Sequence, residues 1–284
     1  MLVDRTSFAA LALAGLWFVP AATAHAAQSY DNCTGYIESL PVAITTQGTW
    51  CLRGDLSTAM TAGEAIAVQA NNVTIDCNDF KLGGLAAGVN SRARGIYALN
   101  RQNITVRNCA VRGFFTGIGL ANGGGHLVEH NRVDNSLYQG IAVSGDGSVV
   151  RGNLVRDTGG APENAAYGAA YAIIASADVI DNTVDGVYAT GQDTNPWGIS
   201  VQLAGAEVRG NRVRRMVPTG VGQAMALYGW VEGITFADNR VSSTGPIQGA
   251  GITGGPQSFC TGNTVSRYST PIQFCQDAGG NASN

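Results

Sequence analysis

Six segments of this chain align on a single asparagine: VEHNRVDN, VRGNLVRD, VIDNTVDG, VRGNRVRR, FADNRVSS and CTGNTVSR. The asparagines are Asn131, Asn153, Asn182, Asn211, Asn239 and Asn263, spaced 22, 29, 29, 28 and 24 residues apart. A constant local pattern at an inconstant interval describes a solenoid, whose repeats each bury an apolar face only against their neighbours. Three residues before the Asn comes Val128, Val150, Val179, Val208, Phe236 or Cys260; two after it comes Val133, Val155, Val184, Val213, Val241 or Val265. Strand alternation places each set on one side of its strand. The Asn then sits at a bend between two short strands, where its amide can bond the equivalent amide one coil away, at about 4.7–4.9 Å. The residue before it is Gly152, Gly210, Gly262, Asp181 or Asp238 in five copies, types that tolerate unusual backbone angles. Two looser copies, NVTIDCNDFKL and NITVRNCAVRG, surround Asn78 and Asn108.

A third strand follows each bend after a loop of variable length: GIYAL, TGIGL, GIAV, AIIA, WGISV, AMAL, AGIT and TPIQF. Its inward row is predicted as Ile96, Ile118, Ile141, Ile173 or Ile174, Ile199, Met225, Ile252 and Ile272. Three strands per turn over eight or nine turns describe an all-β, right-handed parallel β-helix. Composition agrees. Gly fills 39 positions and charged residues only 13% of the chain, against about 25% charged in an ordinary domain. Long amphipathic helices need charged faces and few glycines, so a helical bundle is excluded. A 45% hydrophobic content with a net charge of −3 argues against disorder. Sixteen arginines, a single lysine (Lys81) and a mildly acidic balance leave no electrostatic footprint for nucleic acid.

Residues 1–26 read as a secretory signal peptide: Arg5, an apolar run from Phe8 to Val19, Pro20, then Ala24-His25-Ala26 at the cleavage site, with cleavage after Ala24 as the alternative. The run is too short for a membrane span, which takes about 20 residues. Residues 27–64 are assigned to an N-terminal cap, 65–275 to the β-helix and 276–284 to a frayed polar tail. All six cysteines fall in the mature part, and an even number in an exported chain favours disulfides. The repeat selects Cys33–Cys51, Cys77–Cys109 and Cys260–Cys275; buried free thiols at Cys77 and Cys109 are the alternative. The expected location is secreted or periplasmic.

The Asn-x-Val bend, the Gly-Ile-x-Val strand and the irregular period resemble the β-helix repeat proteins of the pectate-lyase-like superfamily over roughly residues 65–275. The resemblance implies an active groove along the third-strand sheet, with catalytic and calcium-binding Asp and catalytic Arg or Lys projecting outward. The matching positions here include Tyr97, Gly119, Ala142, Ser144, Ser200, Gln202, Ala226, Thr253 and Gln273, none of them charged. No catalytic residue is therefore carried over, and no metal or cofactor is expected.

Chemistry is expected instead in three long insertions on consecutive coils, residues 157–170, 185–197 and 214–223, which leave the helix at one corner. Glu163 and Asp193 are candidate acid and base for glycoside hydrolysis. Arg214 or Arg215, neutralising a uronate while Tyr167 or Tyr188 moves a proton, would suit a lyase. Tyr167, Tyr188, Asn195, Trp197, Arg214 and Gln223 are the candidate substrate-binding set, Arg215 the candidate catalytic arginine. Asp134, Arg156, Asp185 and Arg214 form an alternating charge row, read chiefly as a surface ion-pair ladder. His126 and His130 read as strand and turn residues, Phe114-Phe115 as a coil edge or a small apolar patch, and Arg92 and Arg94 as solvated or as contacts for an acidic sugar. Two functions follow: an exported protein that binds, and in one version cleaves, a polysaccharide; or a non-catalytic envelope or surface β-helix used as scaffold or adhesin.

Overall fold

The structure, a computed structural model, describes residues 32–162, 166 and 168–284. The expected signal peptide, Glu163 and Tyr167 lie outside the described residues. The fold is a right-handed parallel β-helix of about nine turns, and among the described residues it has 27 strands whose pairings are all parallel. A typical coil has Leu127–Glu129 before the bend, Arg132–Asp134 after it, and Gln139–Arg151, which carries the third strand and runs on into the next coil.

Each strand stacks residue on residue, so the interior is a set of columns. Val106, Val128, Val150, Val179, Val208, Phe236 and Cys260 form one column. Val111, Val133, Val155, Val184, Val213, Val241 and Val265 form a second. The third runs Ile96, Ile118, Ile141, Ile173, Ile199, Leu227, Ile252 and Ile272. One assignment in that column is corrected and one open alternative is resolved. Leu227, not Met225, is the inward residue, and Ile173 is chosen over Ile174. Met225 stacks beside Trp197 on the outer face, and the outward partner of Ser200 is Tyr228, not Ala226. Periodicity alone misplaced them because AMAL fits the strand pattern two residues out of register.

The bend works as its composition predicts. The residue before the ladder Asn has positive φ in all six copies: His130 54°, Gly152 63°, Asp181 55°, Gly210 68°, Asp238 56° and Gly262 65°. Each Asn side chain then spans two coils. The Asn182 amide donates to Val150 O at 2.9 Å and Asn211 Oδ1 at 3.1 Å, while its own Oδ1 accepts from Asn153 N at 2.9 Å and Asn153 Nδ2 at 3.0 Å. All six ladder asparagines are buried. Two members were not foreseen. Cys109, not Asn108, holds the ladder position one coil earlier, since its N–H donates to Asn131 Oδ1 at 3.0 Å. At the other end Asn281 Oδ1 accepts from Asn263 N and Nδ2, at 3.0 and 2.9 Å.

All three expected disulfides form: Cys33–Cys51, Cys77–Cys109 and Cys260–Cys275. The second links neighbouring coils at a Cα separation of 4.7 Å. The N-terminal strands already follow the parallel stack, Gly35–Ile37 on Gly48–Leu52 and Val42–Ile44 on Glu64–Val68. Residues 276–284 are not a loose tail. They add a partial coil, Gln276 and Asp277 pairing with Phe259 and Cys260, and Ala282 and Ser283 with Thr264 and Val265.

Candidate functional site

Two rows face outward from the third-strand sheet. One reads Arg94, Thr116, Gln139, Tyr171, Trp197, Met225, Ala250 and Thr270; the other reads Tyr97, Gly119, Ala142, Ile174, Ser200, Tyr228, Thr253 and Gln273. The rows make two surface features side by side. Over the earlier coils the second row shrinks to Gly119 and Ala142, and a groove of about 400 Å³ opens. Its floor includes Gly119, Ala142 and Ile174; Phe115 and Tyr97 supply aromatic walls; Gln139, Ser144 and Gln202 supply polar groups; Arg92 and Arg94 also line it. Among the described residues, none that lines the groove is Asp or Glu.

Over the later coils the face becomes aromatic. Phe115 stacks on Tyr138 (ring centroids 5.1 Å apart), Tyr138 meets Tyr171 edge-on (5.9 Å), Tyr171 stacks on Trp197 (5.6 Å) and Trp197 on Trp230 (5.5 Å), with Tyr228 edge-on to Trp197 at 5.0 Å. Rings one coil apart fall at contact distance because coil spacing and ring-pair spacing are both about 5 Å. Each ring stays partly accessible, and Trp230 is 49% exposed. The Trp230 indole N–H donates to Ser200 Oγ at 2.7 Å, which fixes its orientation. Of these rings only Trp197 was singled out for binding from sequence. Phe114 and Phe115 divide the two roles offered for them: Phe114 is buried in the core, and Phe115 begins the stripe.

The three insertions do leave and return together. Arg156, Asp185 and Arg214 are in register where they depart, and Tyr171, Trp197 and Met225 where they return. The second and third are joined side by side. Asp193, an exposed residue, accepts from Val221 N at 3.0 Å; Asn195 Oδ1 accepts from Gln223 N at 2.7 Å; the Thr194 and Thr219 hydroxyls are 2.7 Å apart. Gln223 is exposed, and Tyr188 is partly buried beside Gly160. Burial, then the Asp157 carboxylate, raises the Tyr188 phenol above its ordinary pKa.

Arg214 and Arg215 lie at the departure corner, in an ion cluster. Arg214 donates to Asp185 at 2.8 Å; Arg215 donates to Asp185 and, at 2.9 Å, to Asp157 two coils away. That long reach needs the intervening glycine, because a Cβ on Gly186 would lie 2.7 Å from Asp157 Oδ1 and 2.8 Å from Arg215 Nη2. Burial opposes ionisation of Asp185, but the hydrogen bonds from Arg215 and Arg214 prevail and hold its pKa below the ordinary value. The charge row therefore has its expected register (Asp134, Arg156, Asp185, Arg214), but Asp134 pairs with Arg132 of its own coil at 2.9 Å.

The fold and this geometry place the protein among β-helix proteins with an elaborated third-strand face. The chain belongs to the right-handed beta helix region family, whose profile matches residues 55–196 and again 94–267. No curated protein matches the chain. Among solved structures it is similar to the Dettilon tailspike protein, at 15% identity and a TM-score of 0.47, over 87% of this chain and 56% of that one. It thus spans a little over half of that protein's length. Among the described residues no helix is long and apolar enough to cross a membrane, and no three His, Cys, Asp or Glu side chains converge to hold a metal.

Proposed function

We propose that this protein is an extracytoplasmic β-helix that binds a glycan chain along its third-strand face, with the long axis of the glycan parallel to the helix. The observation that carries this reading is the continuity of the groove with the aromatic stripe. Small residues at Gly119 and Ala142 let a flat sugar ring approach the sheet between aromatic walls, while Gln139, Ser144 and Gln202 offer hydroxyl partners. Apolar surface combined with a few convergent polar groups is the ordinary make-up of a small-ligand site. The disulfides and the fold are consistent with an extracytoplasmic location.

Binding without cleavage is favoured by the lining of the groove, which among the described residues includes no carboxylate to serve as acid or base. Cleavage by Glu163 with Asp193, or by Arg215 with Tyr167 or Tyr188, places the chemistry on the insertions instead, with Asn195, Trp197, Arg214 and Gln223 holding substrate. Affinity electrophoresis and calorimetry against a polysaccharide panel, beside reducing-end and unsaturated-sugar assays, separate the two. The expected result is binding without new chain ends, weakened at least tenfold by Tyr171→Ala with Trp197→Ala. Undiminished binding by that folded double variant removes the stripe from the site, and turnover abolished by Asp193→Asn restores the catalytic reading.

A further inference from the structure

The corner after the third strand changes character at the far end of the face. Gln202 and Trp230 stand there on successive coils, the Trp230 N–H donating to Val201 O at 3.0 Å. Tyr228 pairs with Thr253 and Thr253 with Gln273, so the same corner is Gly254-Gly255 one coil later and Phe274-Cys275 one coil later again. A cavity of about 440 Å³ lies over it, lined by Gly254, Gly255, Gln257, Ser258, Phe274 and Gln276 among others; among the described residues, none that lines it is charged. The two glycines admit no side chain: a Cβ on Gly254 would lie 2.4 Å from Phe274 O, and one on Gly255 1.9 Å from Val231 O. Phe274 occupies the strand position that Leu120, Val143, Ala175 and Val201 hold in earlier coils, all of them buried. Its φ of 53° turns the ring out instead, and it is 74% exposed. Left-handed backbone is uncommon for a bulky residue, and an exposed ring gains nothing from burial, so both features run against stability. In the same lining Ser258 is 1% exposed, with its N–H donating to Gly255 O at 3.2 Å and its C=O accepting from Gln276 N at 2.8 Å. Among the described residues its Oγ has no hydrogen-bond partner.

We propose that this cavity is a second subsite of the glycan face, which seats one neutral sugar ring on Phe274. The inference rests on the glycan-binding reading above and extends it beyond the groove and the stripe to the far end of the third-strand sheet. An apolar ring beside amides and a hydroxyl matches the chemistry of a pyranose. The apolar face of the sugar lies on Phe274, and its hydroxyls meet the exposed amides of Gln257 and Gln276. A buried hydroxyl without a partner is costly, and a sugar hydroxyl at the cavity wall supplies what the Ser258 Oγ lacks. A uronate here would be desolvated with no cation in the lining, which selects a neutral residue. Position adds a length requirement. Gln202, which lines the groove, is three coils from Phe274, or about 14 Å at the normal strand spacing, with Trp230 on the first coil between them. A chain held in the groove therefore passes Trp230 and reaches Phe274 only when it is several sugars longer than the groove itself.

The test is calorimetry with intrinsic tryptophan fluorescence on the full chain. The probes are neutral trimers and octamers of glucose, mannose, galactose and N-acetylglucosamine, together with octagalacturonate. The expected result is that at least one neutral backbone binds, its octamer more tightly than its trimer. Phe274→Gly removes the ring and suits the left-handed backbone, so Tm should hold or rise. Octamer affinity should then fall about five- to tenfold, while trimer affinity stays unchanged. Ser258→Ala removes the unpartnered hydroxyl and should also preserve Tm, but weaken the octamer about threefold. Unchanged octamer affinity in both variants overturns the subsite and leaves glycan binding standing. Equal weakening of trimer and octamer by Phe274→Gly also overturns it, because the ring would then act within the footprint of the groove. Octagalacturonate bound more tightly than every neutral octamer overturns the neutral assignment. Absence of binding to every probe overturns the glycan reading itself, and the subsite with it.

Discussion

Replacing Asn182 with alanine isolates the ladder from everything else in the coil. Its side chain takes part in donor bonds to Val150 O, Ile180 O and Asn211 Oδ1 and accepts from Asn153 N and Nδ2. After truncation, the Asn153 amide nitrogen retains Val128 O and the Asn211 oxygen retains Asn182 N. The Asn153 backbone N–H has no such alternative and is buried. Stranding that donor costs about 1–3 kcal/mol, and loss of the remaining bonds adds about 1 kcal/mol net. The sum is about 3 kcal/mol, or about 6 °C in Tm for a chain of this size. The matched control is Asn281→Ala at the end of the ladder, where the stranded Asn263 N–H is only part-buried, water can replace the partner, and about 1 kcal/mol is expected. Urea and thermal unfolding followed by far-ultraviolet circular dichroism measure both. Equal losses at the two positions, or a loss below 1 kcal/mol at Asn182, would refute the argument that buried amide satisfaction holds the coils together.

Three further outcomes are expected. Cys77→Ala with Cys109→Ala should cost about 2–4 kcal/mol, whereas Cys77→Ala with Cys109→Asn should recover part of it by extending the ladder to Asn131; calorimetry of the two double variants decides. Asp185→Asn should destabilise the protein by about 1–2 kcal/mol at neutral pH, discounting for the half-exposed arginines. Since the folded-state pKa of Asp185 lies below its ordinary 3.8, its contribution is present above that pH and fades as pH falls further, so the variant should lose less stability on acidification than the parent. His126 is buried, accepts from Ile104 N through Nδ1 at 3.4 Å and contacts Asn122 O through Nε2 at 3.1 Å, a pattern that suits the neutral Nε2–H ring. Its pKa is lowered by burial despite the opposing Asn122 contact. The unfolded chain therefore takes up more protons, and stability should fall as pH drops below about 6.5; His126→Gln, tested by urea unfolding at pH 5 and 8, should flatten that slope.

The bend was legible because its chemistry is strict: one residue type satisfies buried backbone groups on two coils, so Asn recurs while its neighbours drift. The third strand was legible as a strand but not in phase. Its outer face carries Ile174, Met225 and Tyr228 among smaller residues, so alternation of polarity does not separate the two sides. That loss of phase concealed the aromatic stripe, whose members are spaced by loops of unequal length and coincide only after each coil is aligned on its third strand. The ion cluster at Arg214 and Arg215 was hidden differently. Its geometry depends on Gly186 leaving room between residues two coils apart, a relation that no local motif contains.

The ladder also has a direction. Asn131 donates to Asn153, Asn153 to Asn182, Asn182 to Asn211, and so on to Asn281, always from an earlier residue to a later one. A chain emerging from its amino end therefore presents, at each completed turn, a donor whose acceptor has not yet been made. Arrival of the next Asn quenches that donor and displays a new one. Among the open backbone groups of the growing edge, each ladder Asn thus marks one register point, its N–H and side-chain amide both meeting the Oδ1 of the Asn that follows.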